Sequence, residues 1–174
     1  RATYDESVDY ICDEFRLATQ GIYSADEQSV NYYQRPTKGA AMALIARLRL
    51  FQASPLFNGG AAARKCFGTW KRKSDGAYYV NQEYNPRRWA VAAAAAKQLT
   101  KMGYELHTVE ADAQNPYPLA SNVPTANFPD GAGNIDPYHS YSDMFTGEGI
   151  IQTNKEFIWA MESSNVTNYT HHSF

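Results

Sequence analysis

Apolar residues in the first hundred positions recur at helical spacing. Tyr4, Val8, Ile11, Cys12 and Phe15 fall three and four apart, which predicts a helix from Tyr4 to Ala18 with one apolar stripe and with Asp9, Asp13, Glu14 and Arg16 toward water. Thr3 stands three residues ahead of Glu6, a capping-box pattern in which each side chain satisfies the other's backbone N–H. Cys12 on the stripe is expected to be a free core thiol. Residues 21–36 carry Tyr23, Tyr32 and Tyr33 without a sustained period and read as a loop. Thr37 then opens a second helix over 38–54, where Ala40, Ala41, Leu44, Leu48 and Phe51 form a stripe whose small members allow close helix packing. Pro55 stops it, and the turn that follows ends in Gly59-Gly60, residues free to adopt positive φ. Residues 60–84 are basic and irregular, with Arg64, Lys65, Lys71, Arg72 and Lys73 flanking Trp70, and read as a solvated excursion. Asn85-Pro86 supplies an N-cap and a first-turn proline for a third helix through Trp89, Ala92, Ala93, Ala96, Leu99 and Met102, closed by Gly103.

Beyond Leu106 the pattern changes. Pro116, Pro118, Pro124, Pro129, Gly131, Gly133 and Pro137 prevent any long helix, so this third is expected to be loop-dominated. One short β-like run, Phe157 to Met161, interrupts it, and the tail to Phe174 is polar and aromatic. The expectation is a mainly α chain: a helical scaffold over 1–106 and a loop-rich, minor-β region over 107–174 that forms part of a larger domain.

At 174 residues a single core is the default. A net charge of −2 argues against a nucleic-acid arm or a polybasic membrane patch. No apolar run approaches the roughly 18 residues of a membrane-spanning helix. The chain begins at Arg1 without a signal-like segment, so it reads as processed or cut from something longer. Cys12 and Cys66 are too few and too far apart for a disulfide scaffold or a zinc site. The one compositional anomaly is aromatic: 13 Tyr, 8 Phe and 3 Trp.

Four blocks of sequence carry a resemblance. Arg35-Pro36-Thr37-Lys38-Gly39-Ala40-Ala41-Met42-Ala43-Leu44-Ile45-Ala46-Arg47-Leu48, continuing to Ala53-Ser54-Pro55-Leu56-Phe57-Asn58-Gly59, resembles the "A-T-K-G-A-A-x-A-L-x-A-R" helix and "A-S-P-L-F-N" exit of the SusD/RagB family. Thr3-Tyr4-Asp5-Glu6, Trp89 with the alanines to Lys97, and Asn154-Lys155-Glu156-Phe157-Ile158-Trp159 resemble further blocks of that family in the same order. The resemblance spans nearly the whole chain, although family members are about three times longer, so the chain would be an interior piece. It implies tetratricopeptide-like helix pairs carrying a loop-rich sugar-binding region. It also implies a lipid-anchored parent at the outer-membrane cell surface, and a TonB-dependent, SusC-like transporter as partner. The family's lipid-bearing N-terminal cysteine has no counterpart here, so any membrane attachment would lie outside this segment. No motif of the family carries a ligand residue over to this sequence.

A sugar ring offers a C–H face and a rim of hydroxyls, so a neutral glycan site needs flat aromatic platforms with neutral donors and acceptors, roles that tyrosine combines. In the loop-rich region the candidates are Tyr117, Tyr138, Tyr141, Asn165, Asn168, Tyr169, His171 and His172, each weighed against an aromatic folded back onto the scaffold. Tyr138, Tyr141 and Tyr169 are the expected stacking residues, and Asn168 and His171 the expected hydrogen-bonding residues. Trp89 and Trp159 are expected to be packed. Trp70 has two accounts, stacking on a ligand or shielding by its cationic neighbours. The run Asp130 to Asp136 has calcium-like oxygen side chains but lacks the carboxylate spacing, so a glycine-rich turn is favoured. His107, His139, His171 and His172 have no metal spacing. No zinc, nucleophile-elbow or phosphate-loop motif occurs. Asp143, Glu148, Glu156 and Glu162 remain possible members of an acid pair, with salt bridges or solvated acids the better account. The function expected is non-catalytic glycan capture without a cofactor or metal, and the alternative is a helical docking scaffold for the transporter that touches no sugar.

Overall fold

The computed structural model describes residues 1–32, 34–146 and 154–160. Among these the chain is mainly α with a minor β part. The helices are α1 (Tyr4–Ala18), α2 (Lys38–Ala53), α3 (Gly60–Phe67), α4 (Arg87–Leu99) and α5 (Pro137–Thr146), with a short 3-10 turn at Val30–Tyr32. Two two-residue strands, β1 (Val109–Glu110) and β2 (Ile135–Asp136), pair antiparallel. The chain forms two compact units, Arg1–Met102 with the described residues 158–160, and Gly103–Phe157.

In the first unit α2 packs against both α1 and α4. Its core joins Val8 and Cys12 of α1, Ile45 of α2 and Ala95 of α4, with Tyr4, Phe15, Met42 and Leu48 partly buried against them. Fully burying side chains of the size of Val8 and Ile45 stabilises by about 1.5–3 kcal/mol each. The α1 N-terminus forms as expected: Thr3 Oγ1 accepts the Glu6 N–H at 3.2 Å and Glu6 Oε2 accepts the Thr3 N–H at 2.7 Å. Cys12 is a buried free thiol, and burial pushes its pKa up.

The apolar stripes are narrower than their sequence spacing implied. Val8 and Cys12 are buried, while Ile11 is exposed at the stripe's edge. On α2 the buried line runs through Ala41, Ile45 and Gln52, leaving Leu44 and Phe51 exposed to one side. On α4 only Ala92 and Ala95 are buried, and Trp89, expected to be packed, is 42% exposed. A helix buries only the arc that faces a neighbour, and periodicity does not say how wide that arc is.

Polar groups tie the helices where the core is thin. Arg88 of α4 pairs with Asp5 of α1 at 2.6 Å, and Gln52 of α2 donates to the same carboxylate at 2.8 Å. Asn58, fully buried, donates to the carbonyls of Ala53 (3.2 Å) and Asn85 (3.0 Å) and accepts the Asn85 N–H at 3.1 Å, joining the exit of α2 to the entry of α4. Asn85 Oδ1 in turn accepts the Arg87 N–H at 3.0 Å, but the helix starts one residue later than expected: Arg87 is its first residue and Pro86, not Asn85, is the N-cap. Gly59 has φ +73°, and a Cβ there would collide with the Glu83 backbone.

Residues 60–84 depart from a purely solvated excursion. They include α3, which three consecutive alanines and two basic residues in its last turn favour. Tyr4, Phe57, Phe67 and Trp70 form a chain of ring contacts with centroids 4.4, 6.0 and 5.3 Å apart. Trp70 is exposed and meets Phe67 edge-on, while the nearby cation, Lys71, lies over Tyr78. The β-like run expected at 157–161 is corrected over its described residues: 157–160 lie in no strand. Trp159, expected to be buried, is 50% exposed and held by its Nε1–H donating to the Gln34 carbonyl at 2.8 Å. Gly103 has the expected positive φ, +78°, but sits beyond the helix end, which Thr100 caps.

Candidate functional site

The second unit places Tyr138, Tyr141 and Phe145 on α5, a helix inside the region expected to be loop. Asp136 precedes Pro137, so a capping carboxylate meets a residue whose φ already suits a first turn. Asp136 Oδ1 accepts the His139 N–H at 2.9 Å and its Oδ2 lies 2.7 Å from His139 Nδ1. These contacts, the backbone N–H foremost, hold the Asp136 carboxyl below its usual pKa. Ser140 Oγ donates to the Asp136 carbonyl and accepts the Val109 N–H at 2.9 Å, binding the first turn of α5 to β1. Val109 pairs with Asp136 and Glu110 with Ile135, so both strands anchor the helix entry.

The glycine-rich segment before β2 is a turn, as favoured. Ala132 N–H donates to the Pro124 carbonyl at 3.0 Å, and Gly133 N–H to that of Ala126 at 2.9 Å. A Cβ on Gly133 would strike the Thr125 carbonyl. Asn134 Oδ1 is taken by the Phe128 N–H at 2.7 Å. Among the described residues no three His, Cys, Asp or Glu side chains are grouped to hold a metal ion.

Tyr138 and Tyr141 both sit on α5. Tyr138 stacks on Tyr117 from the preceding loop, with centroids 5.2 Å apart and planes within 7°, and the two rings are 53% and 45% exposed. Tyr141 is 71% exposed and its ring lies 5.0 Å from that of Phe145, itself 73% exposed. Positions 138, 141 and 145 share one helix face. Phe145 was not singled out from sequence; its signal is the Asp136-Pro137 helix start, which puts it one turn beyond Tyr141. Asn168, Tyr169 and His171 lie outside the described residues, as do Asn165, His172, Glu148 and Glu162.

Beside Tyr141 and Phe145 opens a cavity of about 340 Å³. Its apolar wall includes Leu106, Phe128, Ile135, Met144 and Phe157, and its polar lining includes His107, Ser140 and Glu156. Glu156 Oε2 accepts the His107 N–H at 2.7 Å, and His107 Nε2 lies 3.6 Å from Asp143 Oδ2. Asp143 and Glu156, candidates for an acid pair, therefore both sit against His107.

No family model matches this chain, and no curated protein matches it. Solved structures similar to this chain include BT4246, at 23% identity with a TM-score of 0.61, and selenomethionine BT4246, at 23% identity with a TM-score of 0.57. Each match covers 94% of this chain and 28% of the other, so the chain spans little more than a quarter of the length of the structures it resembles. The likeness establishes that nearly the whole chain shares the fold of one part of BT4246.

Proposed function

We propose that this chain is part of a non-catalytic glycan-capture protein of the SusD/RagB type, which holds polysaccharide or oligosaccharide at the outer-membrane surface for a TonB-dependent transporter. The observation that carries the reading is the exposed aromatic face of α5, where Tyr138, braced flat against Tyr117, stands beside Tyr141 and Phe145. Exposed rings with open faces and a hydroxyl at the tip suit the C–H face and rim of a sugar. The four sequence blocks supply the family, and lipid anchoring of the parent follows from that resemblance alone. Weak stacking at each site would gain strength from the many repeating units of a polysaccharide.

The test is affinity electrophoresis of the intact protein against neutral, host and plant polysaccharides. Alanine at Tyr138 and Tyr141 together should weaken the retarding glycan roughly tenfold, the loss expected for one to two stacking contacts. Unchanged retardation rejects the assignment.

A second reading, a helical docking scaffold for the transporter, draws on the exposed Tyr10 and Leu17 of α1 and Leu50 and Phe51 of α2. Loss of transporter association on Leu17→Asp and Leu50→Asp, with glycan retardation absent throughout, favours it.

A further inference from the structure

Resting on the capture reading above, we infer that the cavity beside Tyr141 is a subsite for an aromatic ester substituent, so that the glycan held is an aryl-acylated polysaccharide. An unsubstituted sugar is a poor occupant. Its hydroxyls need partners on every side, and a buried hydroxyl left unpaired costs binding energy. The cavity offers few. Ser140 Oγ already donates to the Asp136 carbonyl and accepts the Val109 N–H, and Glu156 Oε2 already accepts the His107 N–H. His107, whose Nε2 is buried without a hydrogen-bond partner, and Thr108 are further polar residues of the lining, and the apolar wall includes Leu106, Phe128, Ile135, Met144 and Phe157.

A flat aryl group fits this lining. Phenylalanine rings provide edge and face contacts, and the Met144 sulfur is a soft neighbour for an aromatic edge. At about 340 Å³ the cavity lies near the lower limit of small-molecule sites, a size that suits one ring system. Tyr141 and Phe145 line the cavity and also belong to the exposed face of α5. A sugar stacked on Tyr141 thus has its substituent within reach of the opening. The Glu156 carboxylate in the lining favours a neutral ester over the free aryl acid, whose charge it would repel.

The experiment compares, on the intact protein, cinnamoyl-esterified xylo-, malto- and manno-oligosaccharides with the same oligosaccharides after saponification. For at least one backbone the ester should bind tenfold or more tightly than its saponified form. Met144→Trp, which fills the cavity, should remove that preference while leaving the saponified affinity within twofold. Methyl cinnamate should bind more tightly than cinnamate ion. Equal affinity of ester and saponified forms overturns the inference and leaves glycan capture standing. If no oligosaccharide binds in either form, capture itself fails and the inference fails with it. The ester-to-saponified ratio of the unmodified protein needs no variant, so a misfolded Met144→Trp does not shelter the claim.

Discussion

Asn58 is a polar residue at the centre of the junction between α2 and α4. It is fully buried and its amide satisfies three backbone groups at the junction of α2 and α4. Asn58→Ala strands these groups without water and should destabilise by roughly 2–3 kcal/mol, read as a lower urea midpoint at unchanged slope. The two cysteines differ for a comparable reason. Cys12 is buried with its pKa raised by burial, and Cys66 is exposed. A native-state thiol titration with a disulfide reagent should therefore show one fast equivalent, and Cys66→Ser should abolish it. Two fast equivalents would contradict the packing of α1 on α2.

Individual elements are held by caps and ion pairs as much as by apolar area. Thr3→Ala removes half of the capping box and should cost about 1 kcal/mol, visible as a lower thermal midpoint. Beyond the box, Glu6 also meets Arg72 at 2.9 Å, and Arg72 pairs with Asp75 at 2.6 Å. Asp75 is thereby held down to about 2 from 3.8, and Glu6 is lowered by the Thr3 N–H first and then by Arg72. Both carboxyls bind protons less readily folded than unfolded. Their stabilisation is present above the unfolded values of 3.8 and 4.5 and falls away on acidification, that of Asp75 as pH falls toward 2. Arg72→Met should flatten the acid limb of a plot of thermal midpoint against pH, and an unchanged limb would remove this bridge from the account. At α5 the comparable element is the Asp136 cap. Asp136→Ala should loosen the first turn that carries Tyr138 and lower glycan affinity without touching sugar.

At the scale of the molecule, helices with one buried arc each leave much apolar surface exposed. Tyr10, Leu17, Leu50, Phe51 and Val91 are all exposed in the helical unit. As an isolated 174-residue chain the protein should self-associate with rising concentration, and Leu17→Asp with Leu50→Asp should shift sedimentation toward the monomer. A monomer that persists at high concentration would show that Leu17 and Leu50 form no interface.

Local signals determined much of this protein. The capping box at Thr3, the Thr37 start and Pro55 stop of α2, the Asn85-Pro86 start of α4 and the positive-φ glycines all act within a few residues, so the chain alone specifies them. The aromatic excess drew attention to Tyr138 and Tyr141, and the fold supplies their exposure on α5. Tertiary structure decided the rest. Whether Ile11, Leu44 or Trp89 is covered depends on which neighbour stands over that arc, and no spacing encodes it. The local Asp136-Pro137 start of α5 is tied down from β1, where Val109 pairs with Asp136 and its N–H is accepted by Ser140 Oγ, contacts about thirty residues apart in the chain. The cavity beside Tyr141 draws its walls from residues 106–108, Phe128, Ile135, one side of α5 and residues 156–157, so it exists only once those segments meet.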